Sequence, residues 1–215
     1  MLKTVALCFA KTPGLTPAKT RLARDIGDEC CLILYKLMVN RCRELMQELE
    51  EFCPHVAVNE KEGLSSPFWQ GLSTYEQSPG PLGEKLAHAE NYFCQNFDQI
   101  LFWGTDSPGL TAQHFFSVRE ALTKTKAAVI PALDGGFALY GSRGKLESGS
   151  WTDIHYSTSS TCRELLSFIG PSVTLTQAIS DLDRIDDLPA VLREMEALPS
   201  QGPAWDELKD FLKKL

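Results

Sequence analysis

The sequence of 215 residues lacks any apolar run close to the roughly 18 residues that suggest a membrane-spanning helix. The apolar segment near the amino terminus covers only about seven residues and lacks a convincing cleavage site, so we interpret it as a strand rather than a signal peptide. We therefore expect a cytoplasmic protein without a transmembrane segment.

The sequence also lacks the residue spacing of a zinc site or a disulfide framework. Its seven cysteines are odd in number and contain no CxxC pair, and its four histidines stand far apart. This usage favours reduced cysteines in the cytosol.

Acidic residues are missing from one region of an otherwise acidic chain. The net charge of −7 argues against a nucleic acid polymer as partner. Residues 1–24 nevertheless contain no acid, and their cations are Lys3, Lys11, Lys19, Arg21 and Arg24. A cationic segment on an anionic protein predicts a small anionic ligand.

Apolar runs of about five to eight residues alternate with helical patterns, which is typical of a mainly parallel α/β sheet. We predict strands at Thr4–Ala10, His55–Asn59, Gln99–Thr105, Ala127–Leu133 and Phe137–Gly141. We predict helices at Asp28–Glu51, Leu82–Asn96, Thr111–Lys124, Thr158–Ile169, Asp187–Leu198 and Pro203–Lys214. Residues 1–215 are expected to form one domain, with 187–215 as a carboxy-terminal helical extension. Two predicted long loops, Glu60–Pro81 and Ser142–His155, are expected to shape the substrate pocket.

The segment TPGLTPAKTRLAR, residues 12–24, has nearly the layout of a P-loop but not its glycines. Pro13 and Ala18 stand where GxxxxGK[ST] requires Gly, and a proline cannot donate a backbone N–H to phosphate. Phosphate would then be held by side-chain charge, and the alternative is a solvated basic turn. The candidate side chains are Lys11, Lys19 and Arg21.

Two acidic segments could hold a divalent cation. Asp106 in FWGTDSPGL follows a predicted central strand, and open α/β sheets bind ligands beyond such strand ends. A carboxylate there could hold Mg²⁺. The alternative is a turn or capping aspartate. In SDLDRIDDLPAVL, Asp186 or Asp187 would cap a helix, which leaves Asp181 and Asp183 as candidates for a second metal ligand.

Two glycine-containing segments could contact a ligand. In IPALDGGFALYG, Asp134 and Gly135 between apolar runs predict a hairpin, and the glycines would also let a ligand approach the backbone. In QSPGPLGEKLAHA, Gly80 and Gly83 lie at the beginning of a predicted helix and offer exposed N–H groups, and the amide of Gln77 can donate to and accept from a base edge. A surface loop followed by a cap explains this segment equally well.

Taken in order, AKTPGLTPAKTRLA, PLGEKL, FWGTDSPGL, DGGFALYG, IHYST and SDLDRIDDL resemble the bacterial glycosyltransferase-A-like proteins usually labelled nucleotide-diphospho-sugar transferases. The resemblance covers about residues 4–192. The chain resembles more distantly the guanylyltransferases that act on molybdopterin and phospholactate. The resemblance to the nucleotide-diphospho-sugar transferases implies a three-layer α/β/α sandwich with a mainly parallel Rossmann-like sheet of the GT-A type and an antiparallel hairpin.

The same resemblance places Lys11, Lys19 and Arg21 on the family's basic loop, Asp106 on its acidic strand end, Asp134 on its DGG and Asp183 on its carboxy-terminal acidic segment. Together with Gln77 and Gly83, the three basic residues form the predicted nucleotide-binding set. We expect Asp106 and Asp183 to hold Mg²⁺ or Mn²⁺ and Lys19 to neutralise developing phosphate charge, and Asp134 is the candidate general base.

The function implied is transfer from a nucleotide-diphospho-sugar donor to a small-molecule acceptor. Nucleotidyl transfer from an NTP, with release of pyrophosphate, is the first alternative. A nucleotide-binding module without catalysis and a protein-interaction domain are the others.

Overall fold

A mainly parallel sheet lies at the centre of the fold. The computed structural model describes residues 2–146 and 150–215. The strands in these residues are β1 (Thr4–Ala10), β2 (His55–Val58), β3 (Ser73–Glu76), β4 (Gln99–Gly104), β5 (Ala127–Pro131), β6 (Phe137–Arg143) and β7 (Val173–Leu175). The helices are α1 (Ala23–Ile26), α2 (Asp28–Glu48), α3 (Leu82–Phe93), α4 (Ala112–Ala121), α5 (Ser150–Asp153), α6 (Thr161–Ile169), α7 (Leu188–Glu196) and α8 (Pro203–Leu212).

The strand order, β3-β2-β1-β4-β6-β5-β7, confirms the predicted sheet type. Strand β6 runs antiparallel to its neighbours β4 and β5, and the other pairs of neighbours are parallel. The β5–β6 pair is the hairpin that the DGG segment predicted. Because the parallel strands share one direction, their carboxyl ends meet at one edge of the sheet.

Alternating side chains of the sheet enter two separate cores, which gives the three layers predicted. Ala6 and Cys8 of β1 pack with residues of α2 and α4, whereas Val5 and Leu7 pack with residues of α3 and α6. The period of two along a strand is the reason for this division.

The last two helices pack on α2 around the fully buried Trp205. Glu44 of α2 accepts hydrogen bonds from the backbone N–H groups of Ala204 and Trp205, at 2.9 and 3.1 Å, and so caps α8. The buried Arg41 lies against the Trp205 ring and donates to the carbonyl of Leu110, in the segment that follows β4. The carboxy-terminal helices are thus connected through α2 to that segment.

The sequence prediction missed β3 and β7, and neither strand contains a buried residue. Neither has the alternation of buried apolar residues on which the prediction relied. Strand β3 therefore lies inside the segment predicted as the long loop Glu60–Pro81. In the other predicted loop, β6 extends to Arg143 and α5 is formed, while residues 147–149 lie outside the described residues.

Within the two described ranges, none of the helices combines the length and the apolar character needed to cross a lipid bilayer.

Glu90 on α3 is a buried carboxylic acid, only 4% exposed, that accepts a hydrogen bond from the backbone N–H of Leu146. Burial raises the pKa of Glu90 to about 7, against the weaker opposing effects of that bond and of the Lys145 charge. Between an unfolded pKa of about 4.3 and this value, the folded protein keeps a proton that the unfolded chain releases. Stability is therefore expected to fall as the pH rises through this window.

We expect Glu90→Gln to raise the free energy of unfolding by about 1–3 kcal/mol at pH 8.5 and to change it little at pH 5. Urea denaturation at both pH values measures this. Glu84→Gln, an exposed change on the same helix, is the control and should show no such pH dependence. An equal effect of Glu90→Gln at both pH values would contradict the assignment.

Candidate functional site

A cavity of about 470 Å³ opens at the edge where the parallel strands end. Its walls come from the segments that follow β1, β2, β3, β4, β5 and β7, from the start of β6, and from α3. A concave site of this volume, with apolar walls and a few convergent polar groups, has the form of a small-molecule site.

The cavity is lined by an ion pair between two residues predicted from the sequence. The Nζ atom of Lys19 lies 2.7 Å from Oδ1 of Asp106, and the Lys19 side chain is only 4% exposed. No well-aligned hydrogen-bond acceptor meets this ammonium among the described residues. Since a buried ammonium has three protons to satisfy, the arrangement favours an anionic ligand.

Asp106 remains ionised beside this lysine. Desolvation within the cavity raises its pKa, but the adjacent Lys19 charge and the hydrogen bond from Thr105 outweigh that effect and hold the pKa below its usual value. The Thr105 hydroxyl also donates to Oδ1, and more than half of the Asp106 side chain is exposed. The carboxylate therefore keeps an accessible oxygen, Oδ2.

The basic loop between β1 and α1 is held in a defined conformation. Tyr35 of α2 accepts from the backbone N–H of Lys11 and donates to its carbonyl, at 3.0 and 3.1 Å. The Lys11 ammonium donates to the carbonyl of Pro17 across the loop. Lys19 has a φ of +55°, a left-handed conformation that costs a residue with a Cβ about 1 kcal/mol or more. Packing around the loop therefore imposes the direction of the Lys19 side chain.

Sequence analysis missed the buried carboxylate that supports this loop. Glu60, at 6% exposure, accepts hydrogen bonds from the backbone N–H of Thr12 and the hydroxyl of Thr16. Trp69 also donates to the Thr12 hydroxyl, and a Cβ on Gly63 would collide with that hydroxyl. The amino-terminal region contains no acid of its own, so this one comes from a segment about 48 residues away along the chain.

We expect Glu60→Gln to destabilise the protein by about 1–3 kcal/mol at pH 7, because an amide cannot accept both donors as a carboxylate does. Burial raises the pKa of Glu60, but the hydrogen bonds from Thr16 and Thr12 lower it by a larger amount. The resulting pKa therefore lies below the usual value for a glutamate. This contribution is present above the unfolded pKa of about 4.3 and is lost as the pH falls through the lower folded pKa.

Urea denaturation at pH 7 and at pH 3.5 measures the effect. Glu62→Gln, an exposed change two residues away, is the matched control. Equal stabilities of the two variants at pH 7 would show that Glu60 does not support the loop.

The second acidic segment docks beside Asp106. The backbone N–H of Leu182 donates to the Asp106 carbonyl at 2.8 Å, which places Asp181 and Asp183 on the cavity wall. Asp187 accepts from the backbone N–H groups of Asp183 and Arg184. Its carboxylate thus shapes the acidic segment instead of making the side-chain cap of α7.

Arg21 does not line the cavity, in contrast to Lys11 and Lys19. Its guanidinium lies 2.5 Å from Oδ2 of Asp183. A hydrogen bond to Asp183 and the charge of that carboxylate raise the pKa of Arg21. Arg21 is therefore engaged with Asp183, the residue predicted as a metal ligand.

The surroundings of Asp181, which also lies on the cavity wall, disfavour its ionised form. Burial and the charge of Asp134 raise the pKa of Asp181 to about 6. Two carboxylates from different loops, one after β5 and one after β7, thus oppose each other in the same part of the cavity.

The DGG segment forms the predicted turn. Oδ1 of Asp134 accepts from the backbone N–H of Gly136 at 2.7 Å, and Asp134 lines the cavity. Gly135 has a φ of +95°, and a Cβ there would lie 2.3 Å from the carbonyl oxygen of Ser159. The close approach at Gly135 is therefore made by the chain itself, whereas the sequence analysis expected a ligand there.

Gln77 and Gly83 have different surroundings. Gln77 lines the cavity, and its amide nitrogen donates to the Ala57 carbonyl at 2.6 Å. Gly83 lies inside α3, away from the cavity lining, where a Cβ would collide with the carbonyl oxygen of Trp151. Packing thus explains this glycine without a ligand.

Lys85 is a cavity cation that the sequence analysis did not select. Its ammonium donates to Oδ1 of Asn59 at 2.5 Å. Burial and the nearby charge of Lys11 lower the pKa of Lys85. The position of Lys85, three residues after the start of α3, could have indicated a place in the site. The start of a helix that follows a strand commonly faces the edge of the sheet where ligands bind.

The carboxylates of the cavity offer a partial set of ligands for Mg²⁺ or Mn²⁺. In the described ranges, no three or more His, Cys, Asp or Glu side chains converge as a complete metal cage. Asp106 and Asp183 each have one carboxylate oxygen paired with a cation, at Oδ1 and Oδ2 respectively. Their other oxygens suit a cation that takes one or two carboxylates and completes its shell with substrate phosphates and water.

Solved structures share this fold. The crystal structure of a "putative nucleotide-diphospho-sugar transferase" from Desulfovibrio desulfuricans G20 matches with a TM-score of 0.85 and 20% identity, over 100% of this chain and 98% of that one. CMP:2-keto-3-deoxy-manno-octonic acid synthetase, complexed with CTP, matches with a TM-score of 0.56 and 12% identity, over 91% and 97% of the two chains. The 4-diphosphocytidyl-2C-methyl-D-erythritol synthase from Anaerococcus prevotii DSM 20548 matches with a TM-score of 0.56 and 10% identity, over 89% and 98%. At these identities the likeness establishes the fold.

No curated protein sequence matches the chain significantly. A protein-family model described as "Uncharacterized protein conserved in bacteria (DUF2064)" matches residues 48–158. The match includes Asp106, the DGG turn and Tyr156, while the basic loop and the second acidic segment lie on either side of it. The chain belongs to this bacterial family.

Proposed function

We propose that the protein is a divalent-metal-dependent transferase that uses a nucleotide-diphospho-sugar donor. The observation that carries this proposal is the buried Lys19 ammonium, paired with Asp106 inside a cavity that Lys11 and Lys85 also line. Cations of this kind suit phosphates, and the carboxylates opposite them suit a metal ion or a hydroxyl group.

The residues would act through charge and position. Lys19 and Lys11 would bind the phosphates, and Lys19 would neutralise the negative charge that develops on the leaving diphosphate. The left-handed backbone at Lys19 and the Glu60 contacts hold the loop before the ligand arrives, so little reorganisation would accompany the reaction.

Asp106, with Asp183, would hold Mg²⁺ or Mn²⁺, which when bound supplies charge neutralisation at the phosphates. Asp134 uses Oδ1 to accept from Gly136, and its Oδ2 forms no hydrogen bond or ion pair with the described residues. That oxygen is the candidate to accept the proton of an acceptor hydroxyl.

Nucleotidyl transfer from an NTP is the second candidate. It is favoured by the likeness to a synthetase complexed with CTP, which covers 91% of this chain. The same cations and carboxylates would serve an attack on the α-phosphate, with pyrophosphate as the leaving group.

The products distinguish the two reactions. The full chain is incubated with Mn²⁺ and either nucleotide sugars or NTPs, together with a mixture of sugars and sugar phosphates, and phosphorus NMR identifies what is released. Release of a nucleoside diphosphate supports sugar transfer, and release of pyrophosphate supports nucleotidyl transfer.

A thermal-shift titration with the same nucleotides, with and without Mn²⁺, measures binding independently of turnover. Binding without any product would favour the module without catalysis. If no nucleotide raised the melting temperature, both reactions would be rejected.

A further inference from the structure

The charged side chains that line the cavity are sorted by sign along the sheet. The cations Lys11, Lys19 and Lys85 come from the loop after β1 and from α3, which follows β3. The carboxylates come from the segments after β4, β5 and β7, and they are Asp106, Asp134, Asp181 and Asp183. Since the order is β3-β2-β1-β4-β6-β5-β7, cations occupy one half of the cavity and carboxylates the other.

The cationic half already accounts for the phosphates of a nucleotide. Lys19, nine-tenths buried and without a well-aligned hydrogen-bond acceptor, faces the cavity at the boundary between the halves. Phosphates bound there would leave the half beyond Asp106 to the other reactant.

That half offers the other reactant hydrogen-bond acceptors. The Oδ2 atom of Asp134 forms no hydrogen bond or ion pair with the described residues, and Asp181 lines the same cavity. Ionised carboxylates accept and cannot donate. Arg21, the cation beside this half, is already paired with Asp183. A phosphate or carboxylate placed against Asp134 and Asp181, which lie outside the proposed metal-binding pair of Asp106 and Asp183, would meet like charge.

Aromatic rings form the neighbouring wall. Phe137 and Tyr156 line the cavity and are half-buried. The Tyr156 hydroxyl donates to the Trp151 carbonyl at 2.9 Å, so this side chain presents its ring to the cavity and not its polar group. An aromatic face next to carboxylates suits a ligand with one apolar face and several proton donors.

We propose that this acceptor half, formed by Asp134, Phe137, Tyr156 and Asp181, binds a hydroxyl- or amino-bearing ring that carries no phosphate or carboxylate. The ring would donate hydroxyl or amino protons to the two carboxylates and place its apolar face on the aromatic wall. The assignment of this ring as the second substrate rests on the proposed function.

Saturation-transfer NMR on the full chain, with and without UDP and Mn²⁺, tests the preference. The probes are glucose, myo-inositol and glucosamine against glucuronate and glucose 6-phosphate. We expect ring-proton signals at least about fivefold stronger for one or more of the first three than for the two anions. A stronger signal from glucosamine than from glucose would assign the preferred donor as an amine.

Variants connect the preference to the residues. Asp181→Lys should weaken the binding of the non-anionic rings and strengthen the binding of the anions, which would reverse the order of their signals. Asp210→Lys, the same charge change on an exposed position of α8, should leave the order unchanged. Asp134→Asn retains the oxygen that accepts from Gly136 and should weaken the binding of the non-anionic rings. This variant is the milder test if Asp181→Lys does not fold.

The proposal is overturned if the anions bind better than the other rings, if none of the five rings gives a signal, or if folded variants leave the order unchanged. The saturation-transfer signals of the rings are also measured in the absence of UDP. If UDP does not bind but the rings show the expected preference, the result counts against the proposed function and not against this ring site.

Discussion

Lys19→Met should strongly weaken nucleotide binding while leaving the protein at least as stable as the wild type. The ammonium is only 4% exposed, so the folded state bears the cost of removing it from water with one carboxylate as compensation. Methionine fills similar space and keeps the same strained backbone, while it removes that cost. If Lys19 binds phosphate, turnover should fall about 10²- to 10³-fold, as for the loss of one group that stabilises transition-state charge.

The measurements are nucleotide affinity by calorimetry, turnover by product release, and stability by urea denaturation. Arg24→Met is the matched control, because Arg24 belongs to the same basic segment but is exposed and does not line the cavity. A purely structural Lys19 would give the opposite pattern, with lower stability and unchanged affinity for nucleotide.

Asp106→Asn should remove the effect of Mn²⁺ on nucleotide affinity and lower turnover about 10³-fold. Asparagine keeps the shape of the side chain but cannot neutralise a metal ion or the Lys19 ammonium. The variant should also be less stable by about 1–3 kcal/mol, since it leaves a buried ammonium without a counter-charge.

The double variant Lys19→Met, Asp106→Asn distinguishes stability from function. Removing both charges should recover the stability that Asp106→Asn loses, because no unpaired buried charge remains, yet turnover should stay at or below that of Asp106→Asn. Asp210→Asn on α8 controls for the loss of one acid elsewhere on the surface. Restored turnover in the double variant would show that the pair has a structural role and does not take part in the reaction.

The part of the fold that follows from local pattern was predictable from the sequence. Strand β1 was predicted with its observed limits, because seven apolar or small residues are bounded by the charged Lys3 and Lys11. The DGG hairpin was predictable for a similar reason, since turn chemistry depends on adjacent residues. Strands β3 and β7 contain no buried residues and carry no comparable signal, because their place in the sheet depends on hydrogen bonds to neighbours distant in the chain.

The sequence by itself determined which side chains have the chemistry for a phosphate and cation site, namely Lys11, Lys19, Asp106 and Asp183. Only the tertiary structure decided their partners. Pairing of Lys19 with Asp106 and of Arg21 with Asp183 joins segments 87 and 162 residues apart, and Glu60 reaches the basic loop from a third segment. The physical reason is that parallel strands bring their carboxyl ends to one edge, where side chains distant in sequence share charge and exclude water together.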